Sequence, residues 1–257
     1  MLLVWDIGNS NSVLGLYEGG QLRAHWRFIT AEHTLDELRM LISGLLQLDG
    51  FSLDAIQGCC VSSVVPPLNH TVSQVCELTF GVKPMFIGPG VKTGLIISVE
   101  NPKEVGADRI VNCVGGIETY GAPLIVVDFG TATTFDAISS RKEFLGGIIC
   151  PGIGISLDAL FTRAAKLPRV DLVKPPRVIG RNTVSNITSG AVYGYADMVD
   201  GLIRRMRVEM EEDPKVIVTG GYADLIGEVA SEVDHVDHFL TLNGLRLIHE
   251  RNAGVTA

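Results

Sequence analysis

Leu124-Ile-Val-Val-Asp128-Phe-Gly130-Thr131-Ala-Thr133-Thr134-Phe-Asp136-Ala137 reads as an apolar β-branched strand that turns tightly into a second one. A carboxylate closes the strand, a glycine follows two residues on, and three hydroxyls then fall within four positions. Such a turn can carry chemistry. Gly130 lets the backbone approach an anion closely, and the amides and hydroxyls after it can donate to phosphate oxygens. Asp128 is placed to hold a cation that neutralises them.

The chain opens on a second copy, Leu2-Leu-Val-Trp-Asp6-Ile-Gly8-Asn9-Ser10-Asn11-Ser12-Val13: an apolar strand, Asp-x-Gly, amide and hydroxyl side chains, and a return to apolar residues. Asp6 and Asp128 lie 122 positions apart, about the size of one α/β unit, which predicts two related halves facing each other across a cleft. Gly, Asn and Ser also populate ordinary hairpin turns. Two polar turns after two buried strands at half-chain spacing go beyond that use.

Composition sets the outer limits. A chain of 257 residues can be one large domain or two of about half that size, and the repeat favours two. With 46% hydrophobic and 19% charged residues and 29 glycines, it has the make-up of a folded α/β protein rich in turns. A net charge of −8 without any concentration of Lys and Arg argues against a nucleic-acid-binding surface, so phosphate would be held by a local site. No apolar run reaches the roughly 18 residues of a membrane span, and Asp6 comes before a signal-type segment could form, so a cytoplasmic protein is expected. Cys59, Cys60, Cys76, Cys113 and Cys150 are odd in number and lack a C-x-x-C pair, which suits reduced core thiols better than disulfides or zinc.

In chain order, Val13 to Gly20 and Leu22 to Ile29 extend the opening into an antiparallel three-strand start. Thr34-x-x-Glu37 is a capping box ahead of a helix of about 13 residues bearing Leu35, Leu38, Leu41, Ile42, Leu45 and Leu46. Ala55 to Val61 reads as a buried strand leading to Ser62 and Ser63, which could line the cleft, and Pro67 can open a helix through about Leu78. Pro84 to Ile87 and Leu95 to Ser98 read as further short strands.

Asn101-Pro-Lys-Glu-Val-Gly106-Ala107-Asp108-Arg109 then places a glycine, a carboxylate and a guanidinium just before a helical pattern of Ile110, Val111, Val114 and Ile117 that ends at Tyr120-Gly121. These residues serve either as a helix cap with a surface ion pair or as a general base beside an anion clamp. After the central turn, Glu143 to Cys150 reads as a strand, and Pro151-Gly-Ile-Gly154 opens a helix to about Ala165. Gly180-Arg-Asn-Thr183 leads into a long helix whose Gly190 and Gly194 suggest tight helix packing, within the chain or between subunits. Lys215 to Thr219 reads as a buried strand stopping at Gly220-Gly221, a turn that can meet a flat ligand such as adenine. His235-x-x-His238 lacks a third ligand and is given no metal role, and Thr241 to His249 reads as a helix that can pack back across the cleft.

Asp6-Ile-Gly-Asn-Ser-Asn11, Gly106-Ala-Asp-Arg109, Asp128-Phe-Gly-Thr-Ala-Thr-Thr134, Gly180-Arg-Asn-Thr183 and Thr219-Gly-Gly221 together resemble, in order and spacing over nearly the whole chain, the type III pantothenate kinases. The resemblance implies an α/β fold of two related ribonuclease-H-like lobes, the actin-like ATPase fold of the acetate and sugar kinase and heat-shock ATPase superfamily. Each lobe would be a mixed β-sheet packed with helices, with the active-site cleft between them and lobe boundaries at 1–117 and 118–257. It implies ATP-dependent phosphorylation of pantothenate, the first step of coenzyme A biosynthesis, by a homodimer that uses magnesium and a monovalent cation, potassium or ammonium.

Carried over by position, the resemblance makes Asp6, Ile7, Gly8, Asn9, Ser10, Asn11, Ser12 and Val13 the first phosphate loop, with Asp6 near the magnesium-bound phosphates. Thr131 and its neighbours make the second, Asp128 matches the monovalent-cation ligand, and Thr219, Gly220 and Gly221 match the adenosine contact. Gly106, Ala107, Asp108 and Arg109 match the pantothenate loop, with Asp108 as the base, and Thr183 matches a substrate contact at the subunit interface. Ser10 stands where threonine is usual and keeps the hydroxyl, while Val99 stands where many members carry a tyrosine against the substrate. The alternatives are a kinase of another small hydroxy substrate and a non-enzymatic accessory factor for gene expression.

Overall fold

The computed structural model describes residues 1–164 and 166–253. The predicted helix end at Ala165 and the last four residues of the predicted second lobe lie outside the described residues. The chain divides into two compact units, one made of Met1–Gly94, Asn101–Gly115 and the chain from Leu240 on, the other of Leu95–Glu100 and Gly116–Phe239.

The first unit is built on β1 (Leu2–Ile7), which pairs antiparallel with β2 (Asn11–Glu18) and, on its other side, parallel with β4 (Gly58–Ser63). With β3 (Gln21–Ile29) and β5 (Met85–Phe86) the sheet order is β3-β2-β1-β4-β5. Alternation along β1 decides what each face covers. Leu3, Trp5 and Ile7 pack with Leu14, Leu16 and Val61 under α1 (Leu35–Leu48) and α2 (Asn69–Phe80). The helix α1 carries the predicted capping box, Thr34 accepting from the Glu37 amide and Glu37 from the Thr34 amide. The opposite face bears Val4, Asp6 and Gly15 and receives α7 (Leu240–Asn252), with Leu242 against Gly15 and His249 against Gly58.

The second unit repeats this plan on β7 (Leu124–Phe129), paired antiparallel with β8 (Ala132–Ile138) and parallel with β10 (Lys215–Gly220). The order is β11-β10-β7-β8-β9-β6, where β6 is Ile96–Ile97, β9 is Glu143–Pro151 and β11 is His235–Val236. Leu124 to Val127 are all fully buried, as expected of a strand covered on both faces. One face carries Ile125, Val127 and Phe129 under α5 (Thr183–Met210) and α6 (Ala223–Gly227), with α4 (Ile153–Arg163) contributing Ile153. The other meets α3 (Ala107–Tyr120), whose Gly116 sits against Leu124 and Val126.

Several predicted boundaries are corrected. β4 starts at Gly58 rather than Ala55, because its ladder to β1 begins where β1 begins, at Leu2, and Leu53–Ala55 form a single 3-10 turn. Pro66–Leu68 is likewise a 3-10 turn ahead of α2, which runs on to Phe80 and stops at Gly81 in the left-handed region. Leu95–Glu100 falls in the second unit, where β6 pairs with β9, and α7 falls in the first. Gly190 and Gly194 do not pack tightly within the chain; among the described residues nothing lies within 4 Å of a side chain placed at either. All five cysteines are free thiols, four of them buried and Cys150 half-buried. No helix among the described residues is long and apolar enough to cross a membrane.

Candidate functional site

In the first unit the turn after β1 is drawn tight by Gly8, whose amide donates to the Asn11 carbonyl at 3.0 Å. A methyl group on Gly8 would stand 3.0 Å from that same oxygen, a tight contact. The Ser12 hydroxyl lies 2.9 Å from that of Thr30, and the Thr30 amide donates to the Ser10 carbonyl at 3.1 Å, which ties the turn to the end of β3. Asn9, Ser10 and Asn11 are exposed, while Ile7 is committed to the apolar core and can meet a ligand only through its backbone. Asp6 is half-buried and stands in register with Val13 on one side and Ser62 on the other.

The second turn is shorter. The Gly130 amide donates to the Ala132 carbonyl at 3.1 Å, and the Gly152 amide caps the Thr131 carbonyl at 3.1 Å. Asp128 stands in register with Thr134 of β8 and Thr219 of β10, so a carboxylate and two hydroxyls form one row across three strands. Gly220 has φ +96°, and a methyl group there would come 2.5 Å from Asp128 Oδ1 and 2.7 Å from the Phe129 amide nitrogen. The Asp128 carboxylate therefore lies over bare backbone, in a space that one carbon would close. An all-oxygen set of this kind suits a hard cation, so the residues present fit magnesium or a monovalent cation. The Gly8, Gly130 and Gly152 amides donate within their own turns, which leaves the exposed side chains of Asn9, Ser10 and Asn11 to meet phosphate. Sequence separates the Thr219–Gly221 turn from Asp128 by some ninety positions; only parallel pairing of β10 with β7 brings them together.

Asp108 is the second residue of α3. Its Oδ1 accepts from the Arg109 amide at 2.8 Å, and it reaches back to within 2.5 Å of where a side chain on Gly106 would begin. Burial pushes its carboxyl above the ordinary carboxylate range, and the Arg109 amide and guanidinium hold it partly down. Ala107 and Arg109 flank it, both half-buried.

The remaining predicted contacts belong to the second unit. Val99 follows β6 and is half-buried beside Gly146, in the second unit, whereas Gly106–Arg109 belongs to the first. Thr183 is the exposed first residue of α5, after an Asn182 cap that accepts from the Ser185 amide. His235 stacks on Tyr120, ring centroids 5.0 Å apart, and His238 pairs with Asp224. Among the described residues no cluster of three or more His, Cys, Asp or Glu could hold a metal.

The family model of the type III pantothenate kinases matches residues 2–205. Among solved structures, a Campylobacter jejuni protein described as a Baf family transcriptional activator is 20% identical, with 98% of this chain and 100% of that one covered and a TM-score of 0.61. A Sinorhizobium meliloti protein described as a 2-dehydro-3-deoxygalactonokinase is 10% identical over 100% of this chain and 98% of that one, TM-score 0.60. MreB 5 of Spiroplasma citri, bound to AMPPNP, is 11% identical over 98% and 97%, TM-score 0.56. The shared architecture is the actin-like ATPase fold.

Proposed function

We propose, from the premise that this chain belongs to the type III pantothenate kinase family, that it transfers the γ-phosphoryl group of ATP to the primary hydroxyl of pantothenate, the opening step of coenzyme A synthesis. The observation that carries this is Asp108: a half-buried carboxylate, raised in pKa and flanked by Arg109, in the Gly106–Arg109 loop. A base of raised pKa takes a hydroxyl proton more readily than an ordinary surface carboxylate.

In this reading Asp108 accepts the proton as the pantothenate oxygen bonds to phosphorus and the bond to ADP breaks, and Arg109 orients the substrate carboxylate. The Gly8–Ser12 turn and the Gly130–Thr131 turn each serve nucleotide phosphates, and Thr219 to Gly221 serve adenosine. Asp6 holds magnesium through water, and Asp128 with Thr134 and Thr219 holds potassium or ammonium. When bound, these ions neutralise the phosphate oxygens. Most of the rate comes from positioning and charge neutralisation, so few reacting side chains are needed. We assign the exposed Gly190 and Gly194 of α5 to a homodimer interface with Thr183 at its end.

The second reading is a non-enzymatic accessory factor for gene expression; the Campylobacter jejuni protein is described as a transcriptional activator. A coupled assay of ADP release separates the readings. Release that depends on pantothenate supports the proposal, release driven by another hydroxy compound points to a different kinase, and no release under any condition points to the accessory role.

A further inference from the structure

Ser62, near the end of β4, stands in parallel register with Asp6, so the two side chains leave the same face of the sheet one strand apart, a spacing of about 4.8 Å. It is fully buried, yet its Oγ has no hydrogen-bond partner among the described residues. A hydroxyl in that condition has given up water and gained nothing in return, which destabilises the free chain. The second unit has a buried hydroxyl at the matching place: Thr219, on the parallel neighbour of the central strand, in register with Asp128.

We propose that Ser62 is a positioning residue of the first phosphate turn. When magnesium and nucleotide are bound, its hydroxyl makes beside Asp6 the hydrogen bond that it lacks in the free chain, fixing the carboxylate and the water it holds. A serine suits this role because one short torsion costs little entropy to order, and a bond to a charged group strengthens where water is excluded. The inference rests on the kinase reading of the Asp6 turn.

The test compares the parent chain with Ser62→Ala in two measurements, the melting temperature without ligand and the affinity for ADP with magnesium or with EDTA. Ser62→Ala is expected to melt no lower than the parent. It should bind ADP with magnesium about tenfold to a hundredfold more weakly, the loss of one bond to a charged group, and bind ADP in EDTA as the parent does. Unchanged affinity with magnesium overturns the inference. So does an equal loss with and without magnesium, and so does a lower melting temperature of the free variant, which would mean that the hydroxyl is satisfied within the fold. Ser62→Cys, of similar shape and poor as a donor, is read by the same criteria if the alanine variant does not fold. A parent chain that binds no nucleotide overturns the kinase reading itself, and this inference with it.

Discussion

Burial sets Asp108 against the stability of the chain. Its folded carboxyl is raised above its unfolded value, so in the window between the two the native chain binds more protons. Its contribution to stability is therefore full below the ordinary carboxylate range, is lost as pH rises through the raised value, and stays lost at neutral pH. Asp108→Asn should melt higher than the parent at pH 7, with the gap closing in acid, as thermal denaturation across pH would record. The same variant should bind ATP almost normally and turn over about 10²–10⁴-fold more slowly; steady-state kinetics beside nucleotide titration give both numbers. At Asp128 the expectation concerns ions. Activity should be high in potassium or ammonium and low in sodium alone, and Asp128→Asn should erase the difference. Full activity in sodium-only buffer would remove the cation role from that carboxylate.

At the scale of elements, α3 and α7 touch through bare backbone within the first unit. A methyl group on Gly115 would stand 2.5 Å from the Leu240 carbonyl oxygen, and one on Gly244 would collide with the Val111 carbonyl. Since α7 also covers β1, β2 and β4, Gly244→Ala has no flexible side chain to push aside. It should destabilise the chain by about 1–3 kcal/mol, read as a lower denaturation midpoint at unchanged slope. Elements like these were legible wherever the signal was local. The Thr34–Glu37 capping box, both Asp-x-Gly turns and the apolar run of β7 lie within a few residues of sequence, and the structure shows each of them. Pairings between distant segments were not legible. The start of β4, the docking of β6 on β9 and the row Thr134–Asp128–Thr219 are set by partners far along the chain. Residue order shows Ser62 only as a serine that could line the cleft, because burial without a partner is a property of packing and leaves no trace in sequence.

For the whole molecule, the sequence repeat between Asp6 and Asp128 became a repeat of topology. Each unit has a central strand with an antiparallel partner on one side and a parallel partner on the other. What a single sequence could not decide was whether the helical glycines of α5 serve the chain itself or a second copy. Open space at Gly190, Gly194 and Gly201 leaves them facing outward, and we expect a dimer through that face. Replacing Gly190 and Gly194 together by Glu should yield a monomer by light scattering. The monomer should be no less stable, since glutamate favours the helix over glycine by roughly 0.5–1 kcal/mol per site. A parent chain that is monomeric at working concentration would contradict the assignment. The account as a whole is tested most directly by mass spectrometry of a reaction holding the chain, ATP, magnesium, potassium and pantothenate. We expect a product heavier than pantothenate by one phosphoryl group, formed in step with ADP and nearly absent with Asp108→Asn; no phosphorylated pantothenate, or equal yield from that variant, would contradict it.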